Sequence, residues 1–271
     1  MFRLALIFAI SAAMPAAAQR ANSPIALPDA SSSDDIIVRG LRIPREKLPT
    51  GVYWDYQSIV PSRIARENAD MFLRCALKSS DVAWVRKVVD GEPNSAEARF
   101  AQGWIVETHP GCYPPQRSTR YVTTPVPTAT TEVGEARLDR GVIVEMVLKS
   151  YATEAELTEA ITADPKVQSR FQQREGIRNR LRLPDDRAAL AFASCLVMRE
   201  PVLATRLFRS EPGSLLERGL TQTIIVEGRE CVGRSGRVTI DPSFARVYII
   251  DAFYRWVVAA RGTDSLIPAD A

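Results

Sequence analysis

Four cysteines, one histidine and two recurring Glu/Arg pairs are the residues whose types and spacing could do chemistry in this 271-residue chain. Cys75 and Cys112 stand 37 residues apart, and Cys195 and Cys231 stand 36 apart. That spacing fits two disulfides better than a metal centre, because no C-x-x-C pair exists and His109, the single histidine, cannot complete a zinc ligand set. The same shortage excludes H-E-x-x-H chemistry. Gly233-Arg234-Ser235-Gly236 lacks the form of a nucleophile elbow, and no Ser-x-x-Lys or phosphate-binding loop occurs. His109, with Glu107 two residues before it and Cys112 close behind, is a general-base candidate, although an exposed loop histidine is the plainer expectation. Glu92 with Arg99, and Glu211 with Arg218, offer carboxylates of the kind that cleave glycans. Occurring in both halves, they suit pairing or helix capping better than one active centre. No catalytic residue, metal ligand or cofactor is therefore expected.

The elements that position these residues repeat. Met71, Phe72, Cys75, Glu92-Pro93, Ser95, Arg99, Ile105 and Cys112 match Ala191, Phe192, Cys195, Glu211-Pro212, Ser214, Arg218, Ile224 and Cys231. If each copy folds alike, the bonds are Cys75–Cys112 and Cys195–Cys231, since a bond between copies would break the equivalence. Each would contribute roughly 4 kcal/mol in the chain-entropy model. Apolar residues three or four apart place Ile64, Ala65, Ala69, Phe72, Cys75 and Ala76 on one helix face over 63–78, and Ala188, Phe192, Cys195 and Leu196 repeat it. A short helix over 82–89 has its partner over 202–208. A third helix follows each Glu-Pro, capped by Ser214 with Glu217 in one copy and by Asn94 with Glu97 in the other. Beyond the cysteines, Leu138-Asp139 ahead of 142–148 resembles Ile240-Asp241 ahead of 244–250. On that register the first copy carries a 17-residue insertion rich in Thr and Pro, centred on Thr123 to Thr131, which must be a surface loop.

Between the copies, 154–161 and 166–181 read as helices broken by Pro165. In the second of these, Arg170, Arg174, Arg178 and Arg182 fall at steps of four and form a stripe. A solvated face is expected there, with phosphate-rich headgroups as the alternative. Residues 247–260 read as a buried central helix in which Asp251 and Arg255 pair across one turn. At the other end, Arg3, an apolar stretch to Met14 and Ala16-Ala17-Ala18 have the layout of a secretory signal cleaved after Ala18. With 35 Lys and Arg against 32 Asp and Glu, the charge is too even for a dedicated nucleic-acid partner.

Residues 19–60 read as a tether, with Tyr53, Trp54 and Tyr56 docking it onto the body or, less simply, stacking a sugar. Within it, Asp34-Asp35-Ile36-Ile37-Val38-Arg39-Gly40 resembles the TonB-box segment of Gram-negative outer-membrane receptors, with Arg39 where threonine is usual. The resemblance implies strand addition of Ile36, Ile37 and Val38 to a periplasmic protein partner. It does not carry the receptor function, because a short chain with a helical body cannot form the receptors' barrel. Over its length the chain resembles uncharacterised exported proteins of Gram-negative bacteria, a likeness that implies no activity.

The expected fold is all-α: two pseudo-symmetric helical units, each with one disulfide, behind an extended tether. The expected divisions are a signal peptide at 1–18, the tether at 19–60, unit 1 at 61–151, connecting helices at 152–184 and unit 2 at 185–271. The expected function is that of a soluble periplasmic binding or scaffold protein of unknown ligand, with no membrane span after signal removal. The second reading is a cell-wall glycan or peptidoglycan hydrolase using acidic residues.

Overall fold

The computed structural model describes residues 36–37, 52–54, 59–112, 136–232, 238–240 and 242–271. The secretory signal at 1–18, most of the tether including Val38 and Tyr56, and the Thr/Pro-rich insertion lie outside these residues.

The body is all-helical, and two three-helix runs repeat in it. The first comprises α1 (Ile59–Ala76), α2 (Val82–Asp90) and α3 (Ala96–Glu107), followed by α4 (Ala136–Tyr151). Two connecting helices, α5 (Glu159–Ala163) and α6 (Pro165–Arg178), lead to α7 (Pro184–Arg199), α8 (Pro201–Arg209), α9 (Leu215–Glu227) and α10 (Pro242–Arg261). Local chemistry sets the boundaries. Asp81 caps α2 by accepting from the Ala83 N–H, and Val85, Val88 and Val89 fall on its buried face. Ser95 and Ser214, equivalent residues, cap α3 and α9 through the N–H groups of Ala98 and Glu217.

Three expectations change here. The cap of α3 is Ser95 rather than Asn94, which sits at φ +68° and donates from its amide to the Leu181 carbonyl. Pro165 starts α6 instead of merely breaking a helix: Asp164 caps it, and proline is tolerated at a first turn whose N–H groups have no partner. Residues 154–158 are not helical, because Thr158 turns its side chain onto the Ile161 N–H to begin α5 there.

Both disulfides form within their own copies, Cys75–Cys112 and Cys195–Cys231. Each second cysteine lies in a short 3-10 turn, at Pro110–Cys112 and Arg229–Val232, just past the third helix. One apolar core spans the copies, with Phe72, Val88, Ile105 and Ile143 from the first and Phe192, Phe208, Ile224 and Phe253 from the second.

The long helices α4 and α10 join the copies, and they correct the register expected for them. Arg140, Glu145 and Lys149 on α4 correspond to Arg246, Asp251 and Arg255 on α10, one helical turn away from the match through Asp139 and Asp241. Two matched pairs of contacts prove the point. Lys149 bonds Glu145 at 2.8 Å as Arg255 bonds Asp251 at 3.1 Å. Arg140 reaches across to Asp251, Nε to Oδ2 at 3.6 Å, as Arg246 reaches across to Glu145 at 2.8 Å. Between these reciprocal bridges the equivalent residues Gly141 and Val247 touch each other, as residues beside a two-fold axis must. A Cβ on Gly141 would fall 2.0 Å from a Val247 methyl, so only glycine permits this crossing.

Three short strands accompany the helices. β1 (Ile36–Ile37) and β2 (Val52–Trp54) flank β3 (Val238–Ile240), which precedes α10, and both pair with it in parallel. Ile36 and Val52 both register with Val238, and Trp54 registers with Ile240. The β-branched runs of the tether thus dock on the second copy through backbone hydrogen bonds.

Non-reducing peptide mapping is expected to recover only the two within-copy disulfides, and a peptide joining the copies would contradict the duplicated fold. Gly141→Ala is expected to cost about 1–3 kcal/mol through overpacking. Val247→Ala in the same chain is expected to recover most of that loss. Thermal denaturation of the single and double variants measures both, and an unchanged melting temperature for Gly141→Ala would contradict the close crossing.

Candidate functional site

Most charged residues singled out in the sequence hold helix ends rather than a ligand. The arginine stripe on α6 faces protein instead of solvent. Arg170 donates to the carbonyls of Ala259 and Ala260, Arg174 to that of Thr263, and Arg178 to that of Asp90. Arg182 bridges Asp186 and Asp251, each at 2.8 Å. Carbonyls at the C-terminal ends of helices lack intrahelical donors and carry partial negative charge, which guanidinium groups satisfy on both counts. The stripe is therefore engaged by carbonyls and acids of the protein and is not a free solvated face. Glu92, one of the two recurring acids, is held by Arg180 through two hydrogen bonds at 2.6 and 2.8 Å, and not by Arg99.

The same logic governs the two central arginines. Arg140 donates to the carbonyls of Val88 and Val89 at the end of α2. Arg246 donates to those of Phe208 and Ser210 at the equivalent end of α8. Arg255 adds a bond to Val89, and Tyr248 donates to Asp186. Burial alone pushes the Asp251 carboxyl up, but Arg255, Arg140 and Arg182 overrule it and hold it well below the usual range. Burial likewise opposes ionisation of Glu145, and Arg246 with Lys149 brings it down to about 2. For Arg140 burial prevails and lowers its pKa, with the neighbouring arginines adding to the effect of burial. A cavity of about 20 Å³ beside Arg140, Arg182, Arg99 and Gln102 has room for one water, not for a ligand.

A second cavity is of another kind. It is a half-open cleft of about 330 Å³, within the range of small-ligand pockets, lined by Ser79, Ser80, Asp81, Trp84, Trp104, Ile105, Thr108 and His109. The turn after α1 supplies one wall and the end of α3 the other. Trp84, Phe100 and Trp104 form a connected aromatic strip, with centroids 5.6 to 6.0 Å apart and the Phe100 and Trp104 planes within 22°. Phe100 is 58% and Trp104 44% exposed, so the strip faces outward. Phe100 and Trp104 lie four apart on α3 and stack along one face.

The polar rim has mostly spent its donors. Ser80 donates to the Ala76 carbonyl at 2.8 Å and Thr108 to the Trp104 carbonyl at 2.7 Å. His109 Nδ1 lies 2.8 Å from the Ile105 carbonyl, which can only accept, and 3.0 Å from the Thr108 hydroxyl, so Nδ1 carries the hydrogen and directs it between the two. One oxygen of Asp81 caps α2; among the described residues the other accepts no hydrogen bond. What remains is a set of acceptors beside an aromatic face.

The duplicated unit provides an internal comparison. Asp81, Trp84, Phe100, Trp104 and His109 correspond to Glu200, Leu203, Gly219, Thr223 and Gly228. The second copy therefore has neither aromatic strip nor imidazole at these positions. Its turn is also tighter: Glu200 alone separates α7 from α8, whereas residues 77–81 separate α1 from α2. Burial raises the Glu200 carboxyl, and Glu227 and Glu159 raise it further, so the equivalent surface is acidic.

The sequence reading missed Trp84, Phe100 and Trp104. Their signal was available as aromatics standing where the other copy has small or aliphatic residues. His109, expected as an exposed loop residue, is half-buried in the cleft wall. Ile36 and Ile37 form β1, one of the sheet's two edge strands, engaged by β3 on one side, while Val38 lies outside the described residues. No group of His, Cys, Asp and Glu residues could hold a metal among the described residues. Among the same residues no single helix is long and apolar enough to cross a membrane. Comparison with protein-family models, curated proteins and solved structures finds no match for this chain.

Acid unfolding is expected to follow the central carboxylates. A carboxyl with a depressed folded-state pKa stabilises the fold above its ordinary pKa and loses that contribution as pH falls through the folded value. For Glu145 the window runs from about 4.5 down to about 2. Stability measured by urea unfolding is expected to fall across that window, with a shallower fall in Glu145→Gln. Equal slopes in the two proteins would contradict the Arg246–Glu145 bridge.

Proposed function

We propose that this chain is an exported, non-catalytic binding protein of the Gram-negative periplasm, and that the aromatic cleft of its first copy is the ligand seat. The observation that carries the reading is the asymmetry. A duplicated fold keeps its core residues in both copies, so a concave aromatic surface built in one copy alone serves something other than stability. Buried arginines and acids occur in both copies and are consumed by helix ends. Of the cleft's tryptophans, Trp104 is 44% exposed and Trp84 is partly buried against the core, and the polar groups of the cleft retain lone pairs.

Two disulfides suit an oxidising compartment, which agrees with the signal-like residues 1–18. The edge of β1 opposite β3 is the surface on which a periplasmic partner strand would add, if the resemblance of residues 34–40 to a TonB box extends to function. Hydrolysis is the weaker reading, since Glu92 is committed to Arg180.

Indole N–H resonances provide the test, because Trp84 and Trp104 line the cleft whereas Trp256 is buried, stacked on Phe171 and bonded to the Ser194 carbonyl. Adding the soluble small-molecule and glycan fraction of a Gram-negative cell envelope is expected to shift the Trp84 and Trp104 signals and leave that of Trp256 in place. Silence at both cleft tryptophans would overturn the reading. Release of soluble fragments from purified peptidoglycan would replace it with the hydrolase.

A further inference from the structure

We infer that the cleft recognises a sugar ring, a step that rests on the cleft being a ligand seat and narrows the class of ligand. Three observations converge on a neutral polyhydroxylated ligand. First, Trp104, 44% exposed, lines the cleft beside Trp84, and Phe100 stacks against it from outside the cleft, so an accessible indole forms one apolar wall. A pyranose presents a flat face of C–H groups that such a surface covers, whereas a compact cation is better held by rings converging on one point. Second, Trp84 already carries a cation, with Lys87 Nζ lying 4.7 Å from its ring centre. Lys87 is itself paired with Glu97 at 3.1 Å. A cationic ligand would meet that ammonium beside the same ring, and a neutral one would not.

Third, the rim selects by hydrogen-bond polarity. The Ser80 and Thr108 hydrogens point into backbone carbonyls, and the His109 Nδ1 hydrogen lies between the Ile105 carbonyl and the Thr108 hydroxyl. The lone pairs left on the Ser80 and Thr108 hydroxyls, with the second oxygen of Asp81, form an array of acceptors beside the cleft's aromatic wall. Such an array needs a ligand bearing several O–H donors next to an apolar face, and this combination defines a sugar. The equivalent surface of the second copy has Glu200 and Glu227 beside Leu203 and Thr223. It offers acceptors with no stacking surface, so the equivalent surface of the second copy lacks this mode of recognition.

The experiment titrates the full chain with triacetylchitotriose, maltotriose and cellotriose, and separately with choline and spermidine, following the indole signals. At least one trisaccharide is expected to shift Trp84 and Trp104 but not Trp256, with Kd of about 1 mM or tighter. Trp104→Ala is expected to weaken that binding about tenfold or more, the equivalent of 1.4 kcal/mol. Thr223→Ala, at the matching position of the second copy, is expected to leave it within about twofold, the scatter of replicate affinities on that scale. Asp81→Asn, which keeps an oxygen to cap α2, is expected to weaken it without loss of folding. Choline or spermidine shifting the cleft signals while no trisaccharide does would overturn the sugar class and leave the ligand seat standing. So would an envelope extract that acts when all the trisaccharides fail. Silence from trisaccharides, amines and extract together would remove the seat itself.

Discussion

The reciprocal pair of bridges between α4 and α10 is the constraint on which the rest of this molecule depends. Arg140 and Arg246 each do two jobs: each crosses to the acid of the other copy and each closes the end of the second helix in its own. The two jobs are coupled. An arginine held by the opposite acid is aimed at the carbonyls it must satisfy, and one that lost the acid would leave a charge buried without compensation. Removing one partner of a buried pair costs about 3–5 kcal/mol, far more than the net worth of the pair. The bridges therefore act as a lock on register. A slide of α4 along α10 by one turn would keep valine and isoleucine in contact with valine and isoleucine but would strand every charge.

Arginine is put to the same use elsewhere in the body. α2 ends on Arg140, Arg255 and Arg178; α8 ends on Arg246; α10 ends on Arg170 and Arg174. Short helices leave a large share of their carbonyls at the ends, where nothing within the helix can satisfy them. A guanidinium reaches two such carbonyls at once and keeps its charge when buried, which lysine does less well. The connecting helix α6 is thus a rack of donors laid against the ends of α2 and α10. The stripe that Arg170, Arg174 and Arg178 of this helix share with Arg182 beyond its end looked solvated in the sequence because periodicity shows which residues share a face but not what that face meets.

Much of the architecture was legible for physical reasons. Cysteine spacing and duplication fixed the disulfide pairing, because equivalent backbones admit only the within-copy connectivity. The recurring Glu-Pro followed by a polar cap located α3 and α9, although at α3 the cap is Ser95 and not Asn94, and the apolar faces of α1 and α7 followed from their spacing. The register of α4 against α10 was misread because an apolar helix face looks alike after a shift of one turn. Only the charges Arg140, Glu145 and Lys149 against Arg246, Asp251 and Arg255 break that degeneracy. The cleft was not legible as a cavity, since its walls come from residues 79–81 and from the end of α3, which are distant in sequence.

The asymmetry of the cleft follows from the economy of a duplicated core. Each copy must keep the residues that meet across the α4–α10 crossing, so neither is free to change there. The turn between the first two helices bears no part of that load. In the second copy Glu200 alone spans it, with α7 and α8 meeting at a bend of 105°. In the first copy the longer turn moves the start of α2 away from the end of α1 and opens a space beside α3. Tryptophans then line a concavity whose existence costs the core nothing, since Ala76, Val85 and Ile105 beneath it stay buried. The Cys75–Cys112 bond holds the end of α1 to the segment that follows α3, so the two walls of the cleft are tied at their base. A seat that is rigid before its ligand arrives loses less entropy on binding. The bond that clips the fold thereby also prepares the site.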